Sequence, residues 1–272
     1  MNDKQAVAAG QSRGDETFNK VDSFTLVGRE IANTGGRGLM NDAGRIGDWC
    51  QTWTGTRFYP LDPRPEDVKL PDVLIGLGNM ARYNGQTRRY SVAEHTILCS
   101  MLVEQLPVGT IVPEDLQKWC REELAYMALH HDDPEYLMAD MTRPFKRAIG
   151  RDNDYFKLEE QIWKKAIAPR FKLPEVLPQS ILNVDVAVLG LEKKVLCPRS
   201  DPWELPFPVP KGIMIRCLEP QEASLAWLRR HCELTGEAYW PLHDEFIALV
   251  IQDAENFYRC QREQMIDMRK AA

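Results

Sequence analysis

The stretch Leu129-His130-His131-Asp132-Asp133-Pro134-Glu135-Tyr136-Leu137 decides how this chain is read. Ahead of it, Glu122 to His131 carries Leu124, Tyr126, Met127 and Leu129, a pattern that predicts an amphipathic helix. Pro134 disfavours α geometry at Asp133, so that helix should end or bend just past His131-Asp132 and leave both side chains at a helix end. If helix resumes there, Glu135 stands one turn beyond the doublet. Adjacent helical residues point about 100° apart, so only one of His130 and His131 should face a shared centre. The other is then a packing residue or supports a ligand from behind.

Working outward, two more ligand-type residues sit on helical patterns. Ser91 with Glu94 reads as a capping box ahead of Ile97, Leu98, Met101, Leu102 and Leu106, which places His95 in the first turn of a helix, near its positive end. Leu182 to Leu196 reads as another helix, where Asp185 is flanked by Val184, Val186, Val188 and Leu189. A carboxylate in such surroundings is costly unless a cation or hydrogen bonds compensate it. Metal ligation would do so. His95, His131, Asp132 and Asp185 thus make two imidazoles and two carboxylates reached from three helical segments. A catalytic divalent ion needs such a set if it is also to keep positions open for water and a phosphate oxygen. Local cations suited to a small anion are close in sequence: Arg82, Arg88 and Arg89 precede His95, and Arg143, Lys146 and Arg147 follow the doublet.

Composition bounds the function. A chain of 272 residues fits one enlarged domain better than two full ones. The net charge of −6 argues against extended nucleic acid as a partner, which usually needs a basic stripe. No segment approaches the ~20 consecutive apolar residues of a membrane span. Met1 to Asp15 is polar and lacks the apolar core of a secretory signal. Seven cysteines without a Cys-x-x-Cys pair suggest a reducing compartment and speak against a structural zinc site. The expected location is the cytoplasm.

Residues 1–50 read as an irregular N-terminal extension. Asn33-Thr34-Gly35-Gly36-Arg37-Gly38 lacks the Gly-Lys-Ser/Thr ending of a phosphate loop and reads as a linker. Thr52 to Pro60 suits a short hairpin, ended by the prolines at 60, 63 and 65. Helical spacing begins at Val68, with Val73, Leu74, Leu77 and Met80, and breaks at Arg82-Tyr83-Asn84-Gly85. Further helices are expected over Asp154 to Ala168, Glu222 to Leu234 and Asp244 to Arg269, with a proline-rich loop from Pro198 to Pro210. Asp133 and Asp140 read as solvated or capping residues, although Asp140 could bond a ligand or substrate. Cys99 and Cys120 read as buried small hydrophobes. His231 and His243 read as surface or core residues, and Trp203 as an anchoring aromatic more than a lid. Arg143-Pro144 either closes a turn or has a functional role. The last helix, with Phe246, Ile247, Leu249, Val250, Ile251 and Phe257, either packs on its own domain or pairs with another subunit, so a homo-oligomer is open.

The ordered motifs resemble the HD-domain phosphohydrolases, and within them the 5'-deoxynucleotidase-like branch of bacteria and phages. The likeness runs from about Thr52 to about Leu234. It is carried by Thr-Trp-Thr-Gly-Thr-Arg-Phe-Tyr-Pro at 52–60, Arg-Tyr-Asn-Gly at 82–85, Tyr-Ser-Val-Ala-Glu-His at 90–95 and the 129–137 stretch. Ala-Asp-Met-Thr-Arg-Pro-Phe-Lys at 139–146 and Val-Asp-Val-Ala-Val-Leu at 184–189 complete it. The resemblance implies an all-α HD-domain helical bundle at 51–235, with a small β-hairpin near its N-terminal end and a C-terminal helical extension at 236–272. It implies His95, His131, Asp132 and Asp185 as ligands of one divalent metal ion (Mn, Co, Fe, Ni, Mg or Zn), and Glu135 as the acid/base residue managing the attacking water. Arg82 resembles the family's phosphate-gripping arginine, with Tyr83 beside it to pack on sugar or base. Arg89, Arg143 and Lys146 are further substrate-binding candidates.

The implied activity is metal-dependent hydrolysis of a deoxynucleoside 5'-monophosphate to deoxynucleoside and phosphate. The alternative within the superfamily is a deoxynucleoside triphosphate triphosphohydrolase acting in nucleotide-pool control, as in phage enzymes that clear dATP. A nucleotide-sensing module without turnover is the alternative of another class, and a retained Glu135 speaks against it, because a pure binder needs no activated water. The chain departs from the family in carrying Asp133 where a small residue is usual and in adding segments at both ends.

Overall fold

The computed structural model describes residues 44–105, 110–150 and 153–271. The glycine cluster at 33–38 and the expected extension ahead of residue 44 lie outside them. Among the described residues the chain is mostly helical, with one two-stranded sheet. β1 (Cys50–Gln51) pairs antiparallel with β2 (Arg57–Phe58). The turn between them is closed by a hydrogen bond from Gly55 N to Thr52 O of 3.1 Å, with Gly55 at φ 84°, a conformation that glycine reaches without strain.

Packing begins earlier than expected. Arg45 donates at 2.6 Å to both Asp62 and Asp67, so at least residues 45–50, expected in the extension, are tied to the domain. The hairpin is held in turn by Asp72, whose carboxylate accepts from Thr54 N at 2.7 Å and Thr54 Oγ1 at 2.9 Å.

The helices follow as α1 (Leu70–Asn79), α2 (Val92–Gln105), α3 (Pro113–Leu116), α4 (Arg121–His130), α5 (Glu135–Met138) and α6 (Arg143–Ile149). Then come α7 (Asp154–Ile162), α8 (Ala168–Phe171), α9 (Gln179–Leu196), α10 (Pro220–Thr235) and α11 (Tyr239–Ala271). A π turn, Trp163–Ile167, joins α7 to α8, just before Pro169 withdraws an N–H from the helical ladder. The single helix expected over Asp154 to Ala168 is therefore a three-part segment reaching Phe171. Arg143-Pro144 opens a helix: proline is tolerated in the first turn, where its missing N–H would have no partner.

α2 and α4 form the most extensive helix pair, and α10 crosses α1, α2 and α4. One apolar cluster joins Phe58, Leu77, Phe171 and Trp227; a second joins Tyr90, Leu102, Leu124, Ile181 and Val188. α1 and α10 meet backbone to backbone at Gly78, where an added Cβ would lie 2.7 Å from Pro220 O. α11 does not stay on the surface of this core. Phe246 is buried, and Leu242, Ile247 and Val250 lean on the first cluster, but residues 251–266 are all exposed. The boundary expected at 235 thus falls short of the packed unit, which continues to about Val250.

Candidate metal centre

The helix carrying the doublet ends where Pro134 demands. α4 stops at His130, and His131 to Pro134 form the turn that leads into α5. This break sends the two histidines to different places. His131 Nδ1 donates to Ala128 O at 2.8 Å, a carbonyl that can only accept, so Nε2 carries the lone pair. That Nε2 is buried without a hydrogen-bond partner and lies 3.2 Å from Asp132 Oδ2.

His95, in the first turn of α2, reaches the same space. Its Nε2 lies 3.3 Å from Asp185 Oδ1 and 3.6 Å from Asp132 Oδ2. The structure therefore draws His95, His131, Asp132 and Asp185 together from α2, the α4–α5 turn and α9. Burial and the Arg82 charge oppose protonation of His95, and its anionic neighbours, Glu192 and Asp185 among them, override both and hold its pKa well above the ordinary value. Burial likewise opposes ionisation of Asp185, but the hydrogen bond and charge of His95, with His131 and Arg143, hold its carboxyl well below the usual range.

Cys99, one turn along α2 from His95, was expected only to pack. Its Sγ is buried 3.5 Å from His95 Nε2, and one donor atom each from His95, Cys99 and His131 lie within 4.8 Å of one another. This group could hold a metal ion. The orphaned Nε2 of His131, facing a second imidazole and two carboxylates, fits a divalent cation, which would give that buried nitrogen the partner it lacks.

The residue that sequence reasoning missed is Glu192. It lies on α9 two turns beyond Asp185, with no exposed surface. Its Oε1 accepts from His95 Nδ1 at 2.7 Å and Tyr90 OH at 2.9 Å, its Oε2 accepts from Tyr83 OH, and Arg82 Nε stands 3.6 Å away. Burial opposes its ionisation, yet Arg82 and then His95 hold its pKa down to about 2. An ionised Glu192 makes His95 Nδ1 the donor and turns Nε2 toward the centre. The clue was a glutamate two turns beyond Asp185 on the same expected helix.

Arg82 is buried, with its Nη1 3.5 Å from Asp132 Oδ2. A closed loop holds it there: Arg82 N donates to Tyr90 O at 2.9 Å, Val92 N donates to Met80 O at 3.0 Å, and Tyr83, Asn84 and Gly85 all take positive φ. Two non-glycine residues in that region store roughly 1–3 kcal/mol each. Tyr83 also neighbours Trp203, ring centroids 6.2 Å apart, while Lys193 sits 5.8 Å over Trp203. Arg143 pairs with Asp185 at 2.5 Å. Lys146 lies 3.7 Å from Glu135 and 3.3 Å from Glu159. Arg89 is not drawn in: half exposed, it lies 3.9 Å from Glu219 at the surface.

Glu135 opens α5 almost wholly buried, and its Oε2 has no hydrogen-bond partner. Burial, then the charges of Asp132 and Asp140, push its pKa well above the ordinary value against the pull of Arg82 and Lys146. Asp140 is shifted up by burial too, with Arg82 opposing.

His130 and Asp133 point the other way, into the core. His130 Nδ1 lies 2.6 Å from Asp133 Oδ2 and its Nε2 lies 3.1 Å from His231 Nδ1. The His130 ring packs against Tyr126, Phe171 and Trp227. Asp133, read from sequence as solvated or capping, is fully buried in this pair, because the turn before Pro134 points it inward. Burial alone lowers the His130 pKa to about 3. Glu94 departs from its expected role as well. Ser91 Oγ caps Glu94 N at 3.1 Å, but the Glu94 carboxylate turns away to accept the backbone N–H groups of Arg216, Cys217 and Leu218 at 2.5, 3.1 and 2.8 Å. It thereby pins the returning chain ahead of α10. A cavity of about 1130 Å³ lies elsewhere, among Lys69, Arg170, Phe171 and His231, and none of the metal-centre residues lines it.

No family model matches the chain. The uncharacterized protein RCAP_rcc00048 of Rhodobacter capsulatus is 37% identical over 196 residues, which cover 67% of this chain and 93% of that protein. The uncharacterized protein YfdR of Escherichia coli is 31% identical over 149 residues, 54% of this chain and 72% of that protein. With that identity across nearly the full length of the Rhodobacter capsulatus protein, the chain belongs to the same protein family as these two.

Proposed function

We propose that this protein is a metal-dependent nucleotide phosphohydrolase of the HD type, acting first on deoxynucleoside 5'-monophosphates. The observation that carries the reading is the convergence of the His95 and His131 Nε2 atoms with Asp132 and Asp185, beside a buried carboxyl of raised pKa, Glu135. His95, His131, Asp132 and Asp185 would hold one divalent ion, with Cys99 at its edge. Such an ion supplies a polarised phosphoryl oxygen and a water of lowered pKa.

The remaining work falls to side chains of this chain. Glu135 takes a proton from the attacking water and returns it to the departing 5' oxygen, a role open to a buried carboxyl beside the centre. Arg82 and Lys146 balance charge on the phosphoryl oxygens, Arg82 through a planar fork that grips two oxygens at once. Tyr83 and Trp203 offer ring faces for the nucleoside. Release of a triphosphate from a deoxynucleoside triphosphate is the second reading. It is favoured by Arg143 and Lys146, one turn apart on α6, which extend the cationic wall beyond what one phosphate needs.

The test is to strip the protein with a chelator, reload it with single divalent metals, and incubate it with deoxy- and ribonucleoside mono- and triphosphates. Orthophosphate from monophosphates is the expected product, and tripolyphosphate would select the second reading. Absence of hydrolysis with every metal and nucleotide would overturn both.

A further inference from the structure

Among the described residues, the second half of α11 stands clear of the core. Residues 251–266 are exposed without exception, although an isolated helix of about this length is marginal in water. Its surface is not uniform. Ile251, Ala254, Tyr258, Gln261, Met265 and Met268 follow the 3-4 spacing of a heptad seam, and at 100° per residue they form one stripe about 100° wide. Ile251, Tyr258, Met265 and Met268 each leave more than half of their surface exposed. The stripe continues that of Ile247 and Val250, which already lie on the core.

The flank of this stripe carries Glu255 and then Arg262, one heptad apart. Acidic residue first and basic residue second is self-complementary only when two such helices run in opposite directions. Glu255 of one copy then meets Arg262 of the other, and the two-fold axis repeats the pair. In a parallel pairing the positions facing Arg262 across the seam are taken by Phe257 and Gln264, which offer no charge.

We infer that the exposed half of α11 is the dimerisation element of this protein, pairing antiparallel with the same segment of a second copy through the Ile251 to Met268 seam. The seam spans 18 residues, about 27 Å of helix.

The test uses the full chain. Light scattering coupled to size exclusion should give twice the 31.2 kDa chain mass, and the double variant Tyr258→Glu with Met265→Glu should halve it while the domain keeps its melting transition. Glu255→Arg alone and Arg262→Glu alone should each raise the dissociation constant at least tenfold, and combining the two should restore parental affinity, since the two-fold pair is then reversed. A monomer at the highest concentration the protein tolerates would overturn the proposal. So would a dimer that survives the seam variant. Failure of the combined charge reversal to restore pairing would overturn the antiparallel arrangement.

Discussion

Glu192 Oε1 lies 2.7 Å from His95 Nδ1, and Glu192 shares helix α9 with Asp185, which approaches the other nitrogen of the same imidazole at 3.3 Å. One helix therefore touches both nitrogens of one histidine. It holds one side of the ring with Glu192 and faces the other with Asp185. The same Glu192 accepts from Tyr83 and Tyr90 and faces Arg82, so the orientation of His95 and of the Arg82 side of the candidate centre rests on a single buried charge.

Glu192→Gln is expected to lower divalent-metal affinity about 10–100-fold, the usual cost of losing a carboxylate behind a ligating histidine, without unfolding the protein. Calorimetric titration of chelator-stripped variant and parent with cobalt or manganese measures it. Equal affinities would remove Glu192 from the centre.

Glu135→Gln should retain metal and lose about 10²–10⁴ in turnover. In the metal-free protein it should also be stabilising, and the sign follows from the raised pKa of Glu135. Below the ordinary glutamate range of about pH 4.3 the residue is protonated in both folded and unfolded chains and carries no penalty. As pH rises toward its elevated folded-state value the folded protein holds the extra proton, so stability falls across that window. The variant, which cannot ionise, should melt above the parent near neutral pH, with the gap closing toward about pH 4. Thermal melts of both proteins across that range are the check.

The adjacent histidines should behave oppositely. His131→Ala should abolish tight metal binding and hydrolysis with a modest loss of stability, since its ring faces the centre. His130→Ala removes the hydrogen-bond partner of buried Asp133 and a ring packed among Tyr126, Phe171 and Trp227, which should cost about 3–5 kcal/mol in lost packing and an orphaned polar group. Urea denaturation with metal content measured in parallel separates the two. A stable His130→Ala protein that has lost its metal would reverse the assignment.

Glu94→Gln weakens three charge-assisted hydrogen bonds to Arg216, Cys217 and Leu218, each worth about 1.5–3 kcal/mol when the acceptor is ionised. The expected result is faster amide exchange at 216–218 with the ends of α2 and α10 still protected. Unchanged exchange there would show that the segment is held by other contacts.

The resemblance to HD enzymes rests on short motifs, and the reason they could be read is local. Pro134 dictates a helix end wherever the rest of the chain goes, so His131 and Asp132 were marked as presented side chains. Ser91 marked the start of α2 and placed His95 in its first turn. The hairpin near residues 52–60 was legible from a glycine between β-favouring residues. Asp133 and Glu94 were misjudged for one shared reason. A short polar side chain next to a helix end usually serves that end or solvent, and only the packing of α10 and of the 216–218 segment shows that these two turn to distant partners. Cys99 was read as packing because nothing local distinguishes a buried thiol near a metal centre from one that fills space.

Helix limits, the break at Pro134, the mostly helical class and the ligand types on offer depend on neighbours within a turn or two, so they are legible along the chain. Which of those groups meet depends on contacts between residues far apart in it. Glu192 is 97 residues from His95, His231 is 101 from His130, and Leu218 is 124 from Glu94. Such pairings are set by how helices cross, through the close approach of α1 to α10 at Gly78 and the burial of both apolar clusters. The same contrast runs through α11, one uninterrupted helical pattern in sequence. It becomes two different surfaces because the core ends at Val250 and the helix does not.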